Sequence, residues 1–267
     1  MARYGKWGEW IGIAAVGGSI FVASVAAAQT LTIPRSIVDI PTSGLTPTGS
    51  FETRTRVFPG GGVEVSLDIG LTSWLAVGGG YGAMQIIGDG EPDWNPVPGF
   101  FVKARVIPES YVAPAIVLGV DTRGGGFYDH ARSRYQFKSR GVYAVASKNY
   151  AWLGDLSFHG GLSRSFEDRD DGDPTPFVGL DKSIGALWGI GVEYDPALND
   201  DRRDGAYGRG RGYLNGSLRW NFAQGMQLLV VVRDMLENSE TIDPALSDVV
   251  VDEGWGREFA FSYSETF

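Results

Sequence analysis

Residues 63–69 read Val-Glu-Val-Ser-Leu-Asp-Ile and alternate strictly between apolar and polar side chains. Successive side chains of an extended strand point to opposite faces, so the four apolar residues share one face and Glu64, Ser66 and Asp68 share the other. Such a strand needs an apolar environment on one side and a polar environment on the other. The stretch therefore predicts a β-strand whose two faces are solvated differently.

Period-2 segments of the same kind recur along the chain. In residues 188–195, large apolar side chains alternate with glycines and acidic residues, and residues 258–264 show the pattern with aromatic side chains. Short segments of this type between glycine, proline and polar residues predict strands. We predict twelve strands, at residues 50–58, 62–70, 74–86, 99–107, 111–121, 140–149, 151–165, 175–184, 186–195, 210–222, 225–235 and 256–267.

The links between the predicted strands alternate in length. Short links follow strands two, four, six, eight and ten, with the sixth strand ending at a turn at Asn149 and Tyr150. Apart from the first link, a short glycine-rich turn at 59–62, the links after odd strands are long: 87–98, 122–139, 166–174, 196–209 and 236–255. One rim of short turns and one rim of long loops is typical of bacterial outer-membrane barrels, and an even strand count places both termini on the periplasmic side.

The composition favours a membrane barrel over a helical membrane protein. The chain contains 39 Gly, 14 Phe, 11 Tyr and 8 Trp, and its mean hydropathy is −0.08. Membrane helices need runs of about 20 apolar residues, whereas only every second residue of a barrel strand faces lipid. A spanning sheet has no open edge, because unpaired backbone groups are costly in lipid. We predict an all-β fold, a transmembrane antiparallel up-and-down β-barrel of about twelve strands, over residues 49–267.

A soluble β-sandwich is the alternative fold, since its strands also alternate. It gives no reason for the alternation in link length. Aromatic residues near the predicted strand ends match the interfacial girdles of membrane barrels, although a sandwich would place them in its core. They are Trp74, Tyr111, Tyr150, Trp152, Trp188, Trp220 and Phe267.

The first 28 residues are typical of a cleaved signal peptide. Arg3 and Lys6 precede an apolar stretch at 11–25, and three alanines at 26–28 supply the small residues of a cleavage site. A single N-terminal membrane anchor is the alternative. We predict export to the outer membrane, with residues 29–48 as a periplasmic lead-in to the barrel.

The last nine residues read Phe-Ala-Phe-Ser-Tyr-Ser-Glu-Thr-Phe. This ending resembles the C-terminal assembly signal of bacterial outer-membrane proteins, with Phe259, Phe261, Tyr263 and Phe267 as its aromatic residues. Glu265 departs from that signal, which usually has a hydrophobic or aromatic residue there. The resemblance implies recognition by the barrel-assembly machinery.

A second resemblance covers residues 40 to 163. Its motifs are Ile-Pro-Thr-Ser-Gly-Leu-Thr-Pro-Thr-Gly at 40–49, Gly-Leu-Thr at 70–72, Val-Lys-Ala-Arg at 102–105, Ala-Pro-Ala-Ile-Val-Leu-Gly-Val-Asp at 113–121 and Tyr-Ala-Val-Ala-Ser-Lys at 143–148. They look like those of the YjbH-like outer-membrane barrel proteins, whose members are typically larger. The resemblance implies a link to exopolysaccharide production.

Charged residues on the polar faces of the predicted strands are candidates for the barrel lumen. Opposite charges in a confined interior form pairs that brace the wall, and they also suit a selective solute path. The candidates are Glu64, Asp68, Lys103, Arg105, Asp155, His159, Glu193, Asp195, Arg219, Arg233 and Glu258. The net charge of −9 disfavours nucleic acid as a partner.

No residue pattern indicates a catalytic site, a cofactor or a metal. Asp155, Ser157 and His159 are about 6.5–7 Å apart along one strand face, too far for the direct hydrogen bonds of a triad. Barrel lipid hydrolases resemble one another in having a serine two residues after the histidine, whereas His159 is followed by two glycines. The acidic residues at 167–173 lack the spacing of an EF-hand, so we expect a solvated loop.

These patterns predict a non-enzymatic outer-membrane protein with a role in the cell envelope, and the second resemblance implies exopolysaccharide export. The alternatives are a passive, porin-like channel for small solutes and an outer-membrane lipid hydrolase. The expected partners are outer-membrane lipid and lipopolysaccharide, the barrel-assembly machinery and, through the resemblance, polysaccharide.

Overall fold

The computed structural model describes residues 33–167, 171–201, 207–239 and 255–267. The predicted signal peptide, residues 1–28, lies outside the described residues. Among the described residues, no helix is long and apolar enough to cross a membrane.

The predicted alternating segments form twelve long strands that build the barrel wall. They are β1 (Ser50–Phe58), β2 (Gly62–Gly70), β3 (Leu75–Met84), β5 (Gly99–Ile107), β6 (Ala115–Asp121), β9 (Gly141–Ala151), β10 (Asp155–Arg164), β11 (Thr175–Ile184), β12 (Trp188–Asp195), β13 (Tyr213–Ala223), β14 (Met226–Arg233) and β15 (Gly256–Thr266). Three shorter strands belong to the long loops: β4 (Asp93–Trp94), β7 (Gly125–Asp129) and β8 (Arg134–Phe137).

The wall is closed by the pairing of its first and last strands. β1 and β15 are antiparallel, from Ser50 opposite Thr266 to Val57 opposite Phe259. Each barrel strand has two antiparallel neighbours, so the sheet has no open edge and its backbone groups are paired within the wall. The prediction of a closed antiparallel barrel of about twelve strands is confirmed.

The observed links define two rims. The links at 71–74, 108–114, 152–154, 185–187 and 224–225 form the turn rim, and the longer links form the loop rim. The predicted turn at Asn149 and Tyr150 is wrong, because both residues continue β9 and the chain reverses at 152–154. Leu153 and Gly154 both have positive φ values, +49° and +102°, and the glycine adopts the second of these without the steric cost of a Cβ. The predicted link at 122–139 contains the β7–β8 hairpin.

The outward face of the wall is apolar. Leu67, Leu118, Val192, Leu218 and Phe261 are each 40–48% exposed. Burying one such side chain away from water is worth about 1.5–3 kcal/mol, so a wall that exposes this many needs an apolar solvent. Lipid is that solvent for a closed barrel.

The aromatic residues predicted to form a girdle are all exposed and lie at the turn rim. Trp188 and Trp220 stack with ring centroids 5.4 Å apart, and Phe222 lies 5.3 Å from Trp220. Phe267 stacks on Phe51 at 6.5 Å. Side chains with an apolar body and a polar edge suit the boundary between lipid and water. The exposed set is Trp74, Tyr111, Tyr150, Trp152, Trp188, Trp220 and Phe267.

Residues 33–46, here called the luminal segment, lie inside the barrel. The prediction that residues 29–48 form a lead-in outside the barrel is therefore corrected for the described residues. Ile37 and Ile40 are 3% and 0% exposed and pack in one cluster with inward-facing side chains of the wall, including Val117 and Phe177. Burial of these side chains, together with the polar contacts described below, holds the segment inside.

Substitution of an outward residue at mid-height tests the orientation of the wall. Leu218 lies midway along β13, and we expect Leu218→Arg to lower the free energy of unfolding from lipid vesicles by about 2–4 kcal/mol. Met226, at the turn-rim end of β14, is the matched control, and Met226→Arg is expected to cost about 0–1 kcal/mol. Urea titration of folding in vesicles measures both. Equal effects at the two positions would contradict lipid contact at Leu218.

Candidate functional site in the barrel lumen

Ten of the eleven predicted lumen residues have inward-facing side chains inside the barrel. Asp68, Lys103, His159, Glu193, Asp195, Arg219, Arg233 and Glu258 are buried, and Glu64 and Arg105 are partly exposed. Asp155 is exposed, because it is the first residue of β10 and lies at the turn rim. The period-2 pattern therefore identified the inward face, and only the height of Asp155 along the wall was missed.

Several charged lumen residues were not predicted. Arg54 and Arg56 are inward-facing on β1, whose outward face carries threonines that hide the alternation. Asp121 and Arg123 lie at the loop-rim end of β6, and Asp181 lies on β11. The missed residues of the luminal segment, Arg35 and Asp39, have no strand pattern that could have revealed them.

Asp39 lies between two arginines of the wall. Its carboxylate forms an ion pair with Arg233 and lies 3.4 Å from Arg56 Nη2. Glu258 joins the same pair of arginines, accepting from Arg56 Nε at 2.8 Å and from Arg233 Nε at 2.5 Å. Burial by itself would raise the pKa of the Asp39 carboxyl, but Arg233 and Arg56 outweigh it and hold that pKa well below its usual range. Asp39 is thus held as a carboxylate.

Glu193 binds the backbone of the luminal segment. Its carboxylate accepts hydrogen bonds from the N–H groups of Val38 (2.8 Å), Asp39 (3.0 Å) and Ile40 (3.1 Å). Asn215 Nδ2 donates to the same carboxylate at 2.8 Å. Glu193 is 1% exposed, and hydrogen bonds of this kind offset the cost of burying its charge. The wall therefore recognises three consecutive residues of the segment.

Two wall glycines leave room for the segment beside Glu193. A Cβ on Gly191 would lie 2.6 Å from Ile37 Cγ2, and a Cβ on Gly179 would clash with both Ile37 and Ile40. Distances this short require the neighbouring atoms to move. The two isoleucines consequently fit against the bare backbone of β11 and β12.

The rest of the segment is held by wall side chains that reach its carbonyl groups. Lys103 Nζ donates to the carbonyl of Arg35 at 2.8 Å, and Arg105 Nη2 donates to the carbonyl of Ser43 at 2.9 Å. The N–H of Ser43 donates to Ser147 Oγ at 2.9 Å. Because the two donors belong to β5 and the acceptor Ser147 belongs to β9, the segment is held from a second side of the wall.

The luminal segment lies between two cavities. One cavity of about 820 Å³ opens toward the turn rim and is lined by polar residues such as Asn221, Gln227 and Ser262. The other, of about 150 Å³, lies toward the loop rim beside Asp121 and Arg123. Arg35, Ser36, Leu45 and Thr46 of the segment line both cavities. The segment therefore divides the interior of the barrel.

The β7–β8 hairpin packs across the loop rim. Phe137 packs edge-on against Tyr213 at 5.0 Å, and Arg134 Nη1 lies 2.6 Å from Asp200 Oδ1. Glu167 accepts hydrogen bonds from the N–H groups of Tyr135 (2.7 Å) and Ser139 (2.9 Å), and burial raises the pKa of its carboxyl. The prediction of a solvated loop at 167–173 is wrong for Glu167, which is held against the hairpin, and for Asp171, which is 5% exposed.

No family model and no curated protein matches the chain. Solved structures similar to it include the KdgM porin, with 12% identity and a TM-score of 0.49 over 82% of this chain and 99% of the porin. The NanC porin has 8% identity and a TM-score of 0.45 over 81% of this chain and 99% of its own. The outer membrane protein Omp33 of Acinetobacter baumannii has 8% identity and a TM-score of 0.43 over 84% and 100%. Because a fold does not determine a function, the side chains of the lumen are the basis for inferring one.

Cysteine labelling tests the position of the luminal segment, since the chain has no native cysteine. Ser43 is 1% exposed and Ser36 is partly exposed, so we expect Ser43→Cys to react with a maleimide far more slowly than Ser36→Cys. Adding Gly191→Ala should displace Ile37, and this overpacking costs about 1–3 kcal/mol. Because that cost weakens docking of the whole segment, the labelling rate at Ser43 should rise by roughly 5- to 150-fold.

Gly216→Ala is the matched control for that labelling experiment. Its added Cβ would come no nearer than 3.6 Å to Met235, so the labelling rate at Ser43 should not change. Rapid labelling of Ser43→Cys in the otherwise native barrel would place the segment outside the lumen.

Proposed function

We propose that the chain is an outer-membrane barrel that forms a narrow passive channel for small polar solutes. The observation that carries the proposal is the interior, where ionised side chains of both signs line two cavities within an apolar outer wall. A cavity lined by charged side chains favours water along its length, whereas a packed apolar core contains no water-filled path. Twelve strands lie between the filled eight-stranded barrels and the open barrels of 16–18 strands, which favours a narrow path.

The same proposal includes the cellular setting. Export with removal of residues 1–28, contact with lipid and lipopolysaccharide, and insertion by the barrel-assembly machinery suit a barrel with an apolar belt and an aromatic rim. The residues of the assembly signal support this, since Phe259 and Phe261 are outward-facing on β15 and Phe267 is 78% exposed.

Current recording in planar bilayers tests the channel, with two adjacent residues of β15 as a matched pair. Ser262 is 4% exposed and lines the larger cavity, so Ser262→Trp should obstruct the path and reduce the single-channel conductance severalfold. Phe261 faces outward, and Phe261→Trp should leave the conductance unchanged. Folded protein that gives no discrete current steps, or equal conductance in the two variants, would contradict the proposal.

Exopolysaccharide export, implied by the YjbH-like resemblance, is a second hypothesis for the same lumen. The resemblance consists of turn and strand patterns, and the described contacts of the lumen include none that is specific for a sugar polymer. Block of the current by a soluble polysaccharide in the recordings above would favour export.

The lipid-hydrolase hypothesis has less support, because its candidate histidine faces the lumen. His159 Nδ1 lies 2.8 Å from Ser147 Oγ, but Ser147 is 1% exposed and accepts the N–H of Ser43. Lipid solvates the opposite face of the wall, so a lipid substrate would not reach this pair.

A further inference from the structure

The luminal segment enters and leaves the barrel through the same rim. Its backbone folds back on itself, since Ser36 pairs with Pro41 and the N–H of Thr42 donates to the carbonyl of Arg35 at 3.1 Å. Ile33 at its beginning and Thr46 at its end both line the cavity at the turn rim. The segment is therefore an inserted loop with residues 37–40 at its tip.

The wall holds this loop without pairing with its backbone in the sheet. The backbone–backbone hydrogen bonds described for residues 35–46 connect the segment with itself. Contacts with the wall run through side chains, chiefly Glu193, Lys103 and Arg233. Withdrawal of the loop would therefore leave every strand pair of the barrel intact.

Of the charged wall residues that contact the loop, four keep other partners when the loop is absent, whereas Lys103 and Arg105 would exchange the loop carbonyls for water in the vacated lumen. Arg56 and Arg233 retain Glu258, Arg140 retains Asp195, and Glu193 retains Asn215. A buried charge left alone is strongly destabilising, whereas one that stays paired is tolerated. The same barrel is thus compatible with a docked loop and with a withdrawn loop.

We propose that Glu193 and the Arg56–Arg233 pair form a docking site for residues 37–40, and that the docked loop is an inhibitory plug. Asp39 contacts this site in two ways. Its backbone N–H donates a hydrogen bond to Glu193, and its carboxylate forms ion pairs with the two arginines. Docking closes the channel by separating the two cavities, and withdrawal through the turn rim joins them. This inference rests on the proposed channel function.

A reversible cross-link between the loop and the wall tests the plug. The N–H of Ser43 lies 2.9 Å from Ser147 Oγ, and the chain has no other cysteine to interfere. In the variant Ser43→Cys/Ser147→Cys, oxidation should lock the loop in place, as verified by mass spectrometry of the linked peptides. We expect the open probability in planar bilayers to fall at least tenfold on oxidation and to recover with reductant, while each single-cysteine variant is insensitive to both.

The outcomes of this experiment separate the plug from the channel. Currents that are the same in the oxidised and reduced double variant would overturn the plug, and so would failure of the two cysteines to cross-link in folded protein. If the reduced variant, the native chain and the variant with weakened docking described below all fold and none conducts, the channel function itself is overturned.

Removal of the docking charges gives a second test that needs no cross-link. The double variant Asp39→Asn/Glu193→Gln weakens both sides of the contact, and we expect its open probability to exceed that of the native chain at least tenfold. Asp181→Asn is the matched control, because Asp181 is a buried carboxylate paired with Arg219 at 2.9 Å in the wall and is not part of the docking site. An equal rise in both variants would assign the effect to a loosened wall and overturn the docking site.

Discussion

The pairing of β1 with β15 is the contact on which the rest of the structure depends. Lipid offers no hydrogen-bond partner, so each N–H and C=O group of a spanning sheet must be paired within the sheet. Once the first and last strands meet, from Ser50 opposite Thr266 to Val57 opposite Phe259, every strand has two neighbours. The period-2 alternation then sorts side chains into an outer face in lipid and an inner face, which explains why the buried charged side chains of the wall lie in the lumen.

Inside the closed wall, the main constraint on the structure is the free-energy cost of burying charged side chains. Arg233, Glu193 and Glu258 are 1–2% exposed and Arg56 is partly exposed, and each is held by partners that compensate its charge. The luminal segment contributes to this compensation through the carboxylate of Asp39 and through its backbone N–H groups. It also supplies Ile37 and Ile40 to an apolar cluster that the wall alone would leave incomplete. Polar and apolar contacts thus act together on one short stretch of chain.

The sequence was sufficient to predict the strands of the wall and most of the charged side chains on its inner face. β1, β2, β5 and β11 have the predicted bounds, because alternation is a local property that a single strand displays. The luminal segment was not predictable in this way. It is rich in proline, serine and threonine and has no period, so it resembles an exposed lead-in. Its position is decided by contacts such as Val38 with Glu193, which are 155 residues apart in the chain. The β7–β8 hairpin was missed because its strands are only five and four residues long.

Entry of the luminal segment through a single rim also removes a constraint on the order in which the molecule is assembled. A chain that ran from one rim to the other would have to be in place before the seam between β1 and β15 formed, or be threaded through end first, since a sealed cylinder admits nothing sideways. A hairpin whose two ends share a rim is free of that requirement. The geometry therefore allows the cylinder to be completed before its interior is filled, and the proposed withdrawal of the loop leaves the seam closed.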